Sequence, residues 1–235
     1  MLLEICANSY QSAKNAQEAG AHRIELCSEL SIGGITPSYG LIQQVITELE
    51  IKTFVLIRPR SGNFCYSEAE FEIIKKNIQV CKDLGCHGIV SGVLNSDNTI
   101  DIKRTQELIA LSHPLPFTFH RAFDMVPNPT EAIERLIDLG ATRVLTSGQQ
   151  PKAIDGLDTL KMLKQQAQHR ITILVGSGIS SENAKVFKNE GFHEIHASAS
   201  EIINSESSSY FGNTPQTVSS LKEIKTILNV ITNEI

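Results

Sequence analysis

The chain has 235 residues, with 21 Lys and Arg against 26 Asp and Glu and a net charge of −5. Its 41% hydrophobic and 20% charged residues fit a soluble globular protein, and with no basic run beyond Arg58-Pro59-Arg60 it lacks the clustered cations of a nucleic-acid binder. No apolar stretch reaches membrane-spanning length, Glu4 breaks the apolar start that a signal peptide needs, and five cysteines without CxxC spacing predict free thiols in a reducing cytoplasm.

Strand-like apolar runs occur at 2–6, 23–27, 52–58, 88–92, 116–120, 143–147, 172–176 and 194–199. Amphipathic helical segments separate them. The first, 9–19, opens on a Ser9 cap and is followed by Gly20; the next, 37–48, has Pro37 at an N1-like position. Segment 67–84 opens on Ser67-Glu68-Ala69-Glu70, close to a capping box, and ends at Gly85. Segments 101–111, 128–139 (then Gly140), 154–168, 181–189 (then Gly191) and 217–231 follow.

Ala19-Gly20-Ala21, Leu84-Gly85-Cys86 and Leu139-Gly140-Ala141 each run straight into a strand. A helix closed by a left-handed glycine before a buried strand is the αβ loop of a parallel fold. Eight such units predict an α/β chain folded as one (β/α)8 TIM barrel over residues 1–235. The rival, a doubly wound sheet, would carry a glycine-rich first turn; here that turn is Ala7-Asn8-Ser9. The low-complexity patch at 204–209 reads as a mobile surface loop on the catalytic face.

Barrel chemistry gathers at the strand C-termini, and those positions carry acids, bases and thiols instead of aliphatics. Glu4-Ile5-Cys6 and Glu25-Leu26-Cys27 repeat one pattern, and residues i and i+2 of a strand share a face. Buried carboxylates at matched positions need partners, for which Arg58 is the candidate. After Phe117-Thr118-Phe119, His120 faces inward with Arg121 and Asp124 beside it; His196 shares a face with Glu194 and Ser198. Gly176-Ser177-Gly178 ends the seventh strand and opens a helix, a place where backbone N–H groups can hold an anion. Arg60, Arg121 and Ser147 join these as anion-binding candidates. Cys6 and Cys27 are open to three readings: small buried hydrophobes, ligands for a soft metal such as Cu(I), or nucleophiles.

Several stretches resemble the CutC family: Glu4-Ile5-Cys6, Gly20 to Ser28, Gly33-Gly34-Ile35-Thr36-Pro37-Ser38, Ile57-Arg58-Pro59-Arg60, Thr118 to Asp124 and Arg143 to Gly148, with Gly176-Ser177-Gly178-Ile179 and Glu194-Ile195-His196 as weaker matches. The resemblance implies a cytoplasmic TIM barrel with a role in copper handling, in which Cys6 and Cys27 match the cysteines proposed to bind copper. Gly176-Ser177-Gly178 departs from the Gly-Gly-Gly often found in relatives.

Two functions follow. In one, Cys6 and Cys27 bind Cu(I), with no other cofactor, in copper homeostasis. In the other, the chain is an enzyme of small-molecule metabolism: Glu4, Glu25, His120, Asp124 and His196 do acid–base work, while Arg58 and the Gly176–Gly178 turn hold an anionic or phosphorylated substrate. The expected partners are a copper ion or a small anion, without nucleic acid or membrane, and a homo-oligomer is compatible with the pattern.

Overall fold

Strands β1 (Leu2–Ala7), β2 (Arg23–Leu26), β3 (Lys52–Leu56), β4 (Gly88–Ser91), β5 (Phe117–Phe119), β6 (Arg143–Thr146), β7 (Thr172–Gly176) and β8 (Glu194–Ala197) pair in chain order, all parallel, and β8 closes onto β1. The structure, a computed structural model, describes residues 1–204, 207–208, 212–213 and 215–232. Helices α1 (Tyr10–Ala19), α2 (Tyr39–Glu48), α3 (Glu68–Asp83), α4 (Ile102–Ser112), α5 (Pro129–Asp138), α6 (Leu157–Ala167), α7 (Ala184–Asn189) and α8 (Leu221–Thr232) complete the expected (β/α)8 barrel. Among the described residues no helix is long and apolar enough to cross a membrane.

Local chemistry sets the helix ends. Ser9, Asp101 and Asn128 each accept a backbone N–H of the first turn they cap, and Ser67 with Glu70 forms the full reciprocal box. Gly20, Gly85 and Gly140 adopt φ of 88°, 81° and 83°, the left-handed conformation that lets each helix turn back at once. The outward strand residues, among them Ile5, Ile24, Val55, Ile89, Val144, Val175 and Ile195, pack with the buried helix faces into the main apolar core.

The barrel interior is different. Its apolar side chains include a small cluster of Cys6, Cys27, Phe54, Leu56 and Val90 and the buried Leu145 and Leu174; charged and polar side chains share the space with them.

Four boundaries depart from the pattern. Helix α6 starts at Leu157, not at 154. Pro37 precedes the α2 cap Ser38 instead of entering the helix. Helix α7 starts at Ala184, with Ser180–Asn183 forming a separate turn in front of it. Segment 217–219 is strand, not helix: β12 (Gln216–Ser219) pairs antiparallel with β9 (Ser200–Asn204), and β10 (Ser207–Ser208) pairs with β11 (Gly212–Asn213). Of the patch expected to be a mobile loop, Ser205, Glu206 and Ser209 lie outside the described residues.

Candidate functional site

The floor of the site is a buried charge network. Register places Glu4 beside Arg23 on β2 and beside His196 on β8. The Arg23 Nε–H donates to Glu4, and Arg23 Nη2 donates to Glu194 at 2.5 Å. Phe54 lies between two guanidinium groups, 4.8 Å from Arg23 and 4.3 Å from Arg143, a cation–π arrangement that softens the burial of like charges. Arg143 donates through Nε to the Thr118 hydroxyl at 3.0 Å; burial and the charge of Arg23 lower its pKa to about 10.

On this floor stands the β1–β2–β8 half of the mouth. His196 Nδ1 lies 2.7 Å from Glu4 Oε1. Burial opposes ionisation of Glu4, yet the hydrogen bond from His196 and the charge of Arg23 hold it down at about 2. His196 moves the other way: against the cost of burial, its bonds to Cys6 and Glu4 and the charge of Glu25 raise it well above its usual range. The Cys6 and Cys27 sulfurs are 3.6 Å apart. Their mutual hydrogen bond, together with burial, pushes the Cys6 thiol well up. Ligand atoms of Cys6, Glu25 and His196 lie within 4.8 Å of one another. Glu25 is only 4% exposed and its Oε2 has no partner; burial first, and then the charge of Glu4, raise it to about 7.

The β3–β5 half holds Arg58, Phe64 and His120. The Arg58 guanidinium sits 4.9 Å from the Phe64 ring centre, and the His120 ring lies 4.8 Å from it on centres. Arg58 Nη1 donates to the carbonyls of Ile32 (3.0 Å) and Gly34 (2.8 Å), and Nη2 donates to that of Gly62 (2.9 Å). The glycine-rich segment after β2 is thus tied to β3. His120 Nδ1 accepts the Ala122 N–H at 3.3 Å. Burial and the nearby charge of Arg58 lower its pKa to about 3, so the ring is neutral. Gly92 makes room for it, since a Cβ there would lie 2.7 Å from His120 Nδ1. Burial raises the Tyr66 hydroxyl to about 12 against the charges of Arg58 and Arg60, with Arg58 beside it.

The two halves face one cavity of 290 Å³, lined by Cys6, Glu25, His196 and Ser198 on one side and by Arg58, Phe64 and His120 on the other, with Arg121, Ser177 and Gly178 also on its wall. A larger cavity of 410 Å³ lies outside the mouth near α5. Its charged lining residues, Glu131 and Arg135, are exposed and pair with each other at 3.5 Å, so the reactive groups are at the mouth.

The expected site residues divide accordingly. Cys6, Glu25, Arg58, His120, Arg121, Ser177, Gly178 and His196 meet at the cavity; Cys27 touches Cys6 just behind its wall, and Glu4 lies beneath. The cation that answers Glu4 is Arg23, not Arg58, because Arg23 occupies the register position beside it while Arg58 is engaged with loop carbonyls. Arg60 is drawn to Glu70 (2.5 Å) and to the carbonyls of Ser61, Asn63 and Cys65, away from the lining. Asp124 accepts from Thr146, Ser147, Gln149 and Arg121 and so braces the turn after β6, with Ser147 in the same network. Gly176 packs against Leu145 and His196. The turn it starts does not open directly onto a helix, since α7 begins eight residues later.

Sequence reasoning missed Arg23 and Phe64. Arg23 was available, because it stands at i−2 from Glu25 and shares its face. Phe64 sits in an irregular loop with no pattern to mark it.

A model of the CutC family matches residues 1–201. The chain is 47% identical over 199 residues to the copper homeostasis protein CutC homolog of Homo sapiens, covering 84% of this chain and 73% of that one. A family protein CutC of Photorhabdus laumondii is 47% identical over 201 residues, covering 86% and 81%. Among solved structures, CutC from Streptococcus agalactiae superposes with a TM-score of 0.80 at 35% identity, covering 84% of this chain and 98% of that one.

Proposed function

The chain belongs to the CutC family, and from that premise we propose that it acts in copper homeostasis by binding Cu(I) at the barrel mouth through Cys6 and Cys27. The observation that carries this reading is the pair of sulfurs 3.6 Å apart, with Cys6 on the cavity wall and Cys27 directly behind it. Metal–thiolate bonds run to about 2.3 Å, and the sulfur gap is shorter than twice that length, so one ion can reach both. Thiolate is the ligand type that selects a soft ion such as Cu(I). The copper name of the human relative supports the same reading.

His196 fits as a neighbouring donor. Its Nδ1 is held by Glu4, which leaves Nε2 for a ligand, and a carboxylate behind the ring is the usual support of a metal-binding histidine. Glu25, with its unpartnered oxygen, closes the group. Metal binding must displace the proton that Cys6 keeps in the free protein. All five cysteines are free thiols, which suits the cytoplasm as the place of action. The test is titration of the reduced protein with Cu(I) against a chromophoric competitor. One equivalent should bind, and the double variant Cys6→Ser, Cys27→Ser should bind none. Undiminished uptake by that variant would remove the reading.

A further inference from the structure

Copper binding uses only one side of the mouth. The opposite side, built by Arg58, Phe64 and His120, carries two buried N–H donors that no acceptor among the described residues meets at hydrogen-bond geometry, with the Tyr66 hydroxyl as the protein group beside Arg58. Arg58 spends both Nη nitrogens on three carbonyls, and its Nε is buried without an acceptor. His120 accepts at Nδ1 from the Ala122 N–H, which fixes the hydrogen on Nε2, and Nε2 is likewise buried and unpartnered. The two side chains are 5% and 4% exposed. Buried donors are almost always satisfied, because leaving one unmet forfeits its hydration with nothing in return. The side chains that carry these two donors line one cavity and flank one aromatic ring, which points to a missing acceptor.

The charges indicate its kind. Arg58 lies on this wall with no carboxylate against it among the described residues, beside Arg121, which is paired with Asp124; the acid on the lining, Glu25, belongs to the group with Cys6 and His196 across the cavity. The neutral, tautomer-fixed imidazole of His120 donates without adding a charge. The volume, 290 Å³, is at the lower end for small-molecule sites.

We propose that this half of the mouth is an oxyanion subsite: a carboxylate or phosphoryl group of a small metabolite accepts the Arg58 Nε–H and the His120 Nε2–H, its body lies against Phe64, and its other end faces Cys6, Glu25 and His196. The mouth is then the site of a small-molecule ligand or substrate as well as of a metal. The proposal does not rest on copper, because neither sulfur belongs to the subsite, and loss of Cu(I) binding in the double serine variant leaves it standing.

The experiment uses the reduced, metal-free full chain. Histidine ring ¹H–¹⁵N spectra are recorded while inorganic phosphate and acetate are added in separate titrations, with chloride at matched ionic strength as the control. The signal lost in His120→Phe identifies His120, which should show the neutral Nε2–H form. Saturable movement of that signal supports the subsite; response to phosphate alone assigns a phosphoryl group, and response to acetate alone a carboxylate. Calorimetry should then find affinity roughly tenfold to a hundredfold weaker in His120→Phe, the value of one hydrogen bond to a charged group. His120→Gln supplies the same assignment and affinity comparison if His120→Phe folds poorly. No response of His120 to either anion beyond the chloride control overturns the proposal, and so does a response accompanied by unchanged affinity in a folded His120→Phe, which would place the ion elsewhere.

Discussion

Replacing Glu25 with Gln should make the protein more stable at neutral and alkaline pH, by an amount that follows from where the carboxyl sits. Glu25 is 4% exposed and one of its oxygens has no partner. Burial, reinforced by the charge of Glu4 and only partly offset by His196 and Arg23, raises its pKa from 4.5 to about 7. A carboxyl that holds its proton more tightly in the folded state is harmless below the unfolded value of 4.5. It becomes a growing cost as pH climbs from there to about 7, and above that the cost is constant. The interval corresponds to about 3 kcal/mol. Gln keeps the shape and never ionises. Urea unfolding of wild type and Glu25→Gln across a pH series should give matching stabilities near about pH 4 and a variant more stable by about 3 kcal/mol at about pH 8. A difference that stays flat with pH, or a variant less stable at about pH 8, would refute the picture of an uncompensated carboxyl. The confirmed result would also be diagnostic of function, since a side chain that costs this much in the free protein marks a site tuned for a ligand instead of for stability.

Glu4→Gln should act in the opposite sense: Arg23 and His196 both lose their carboxylate, with an expected loss of about 3 kcal/mol at pH 7. Because Glu4 is held down at about 2, its contribution is present above 4.5 and disappears as pH falls from there to about 2; acid titration of unfolding should show that loss in wild type and not in the variant. Apparent Cu(I) affinity should rise by roughly tenfold per pH unit for each proton released, with Cys6 supplying at least one, as read from competitor titrations between about pH 6 and about pH 8. Gly92→Ala would place a Cβ 2.7 Å from His120 Nδ1 and 2.8 Å from its Cε1; the ring must shift, at about 1–3 kcal/mol, measurable by thermal unfolding and as a displaced His120 ring signal. Asp124→Ala removes the acceptor shared by Thr146, Ser147, Gln149 and Arg121 and should cost about 2–4 kcal/mol, measured by urea unfolding.

The barrel was legible because its signals are local. Glycines at 20, 85 and 140 close helices and feed strands, and each of the eight apolar runs is a strand in the barrel. The matched acid–x–cysteine pairs were legible for the same reason, since period-two alternation fixes which side chains share a face. What could not be read depends on chain segments meeting across the fold. Arg58 stands at the expected strand end, yet loop carbonyls at Ile32, Gly34 and Gly62 claim its nitrogens. The apolar period at 217–219 suits a helix as well as a strand until Ser200–Asn204 pairs with it. The turn at Ser177 and Gly178 has φ values of 86° and 68°, which glycine takes freely and serine seldom, and the distance from it to α7 is set by the Ser180–Asn183 turn, which carries no periodic signal.

The floor of charges beneath the mouth remains to be accounted for. A barrel interior is normally filled by branched aliphatics, and buried ion pairs seldom add net stability over apolar residues of the same size. Here Glu4, Glu194, Arg23 and Arg143 occupy that space around a single Phe54. Their value lies in direction. Arg23, fixed by Glu194 and by the face of Phe54, holds one oxygen of Glu4; the other oxygen then takes His196 Nδ1. Each link removes a rotational freedom from the next, and the last link turns His196 Nε2 away from the floor, beside Cys6 and Glu25. An aliphatic floor would support the barrel equally well but would leave that ring free to rotate and to choose either tautomer. The ion network therefore positions the donor set at the mouth, and the sequence keeps two glutamates and two arginines where packing alone would call for none of them.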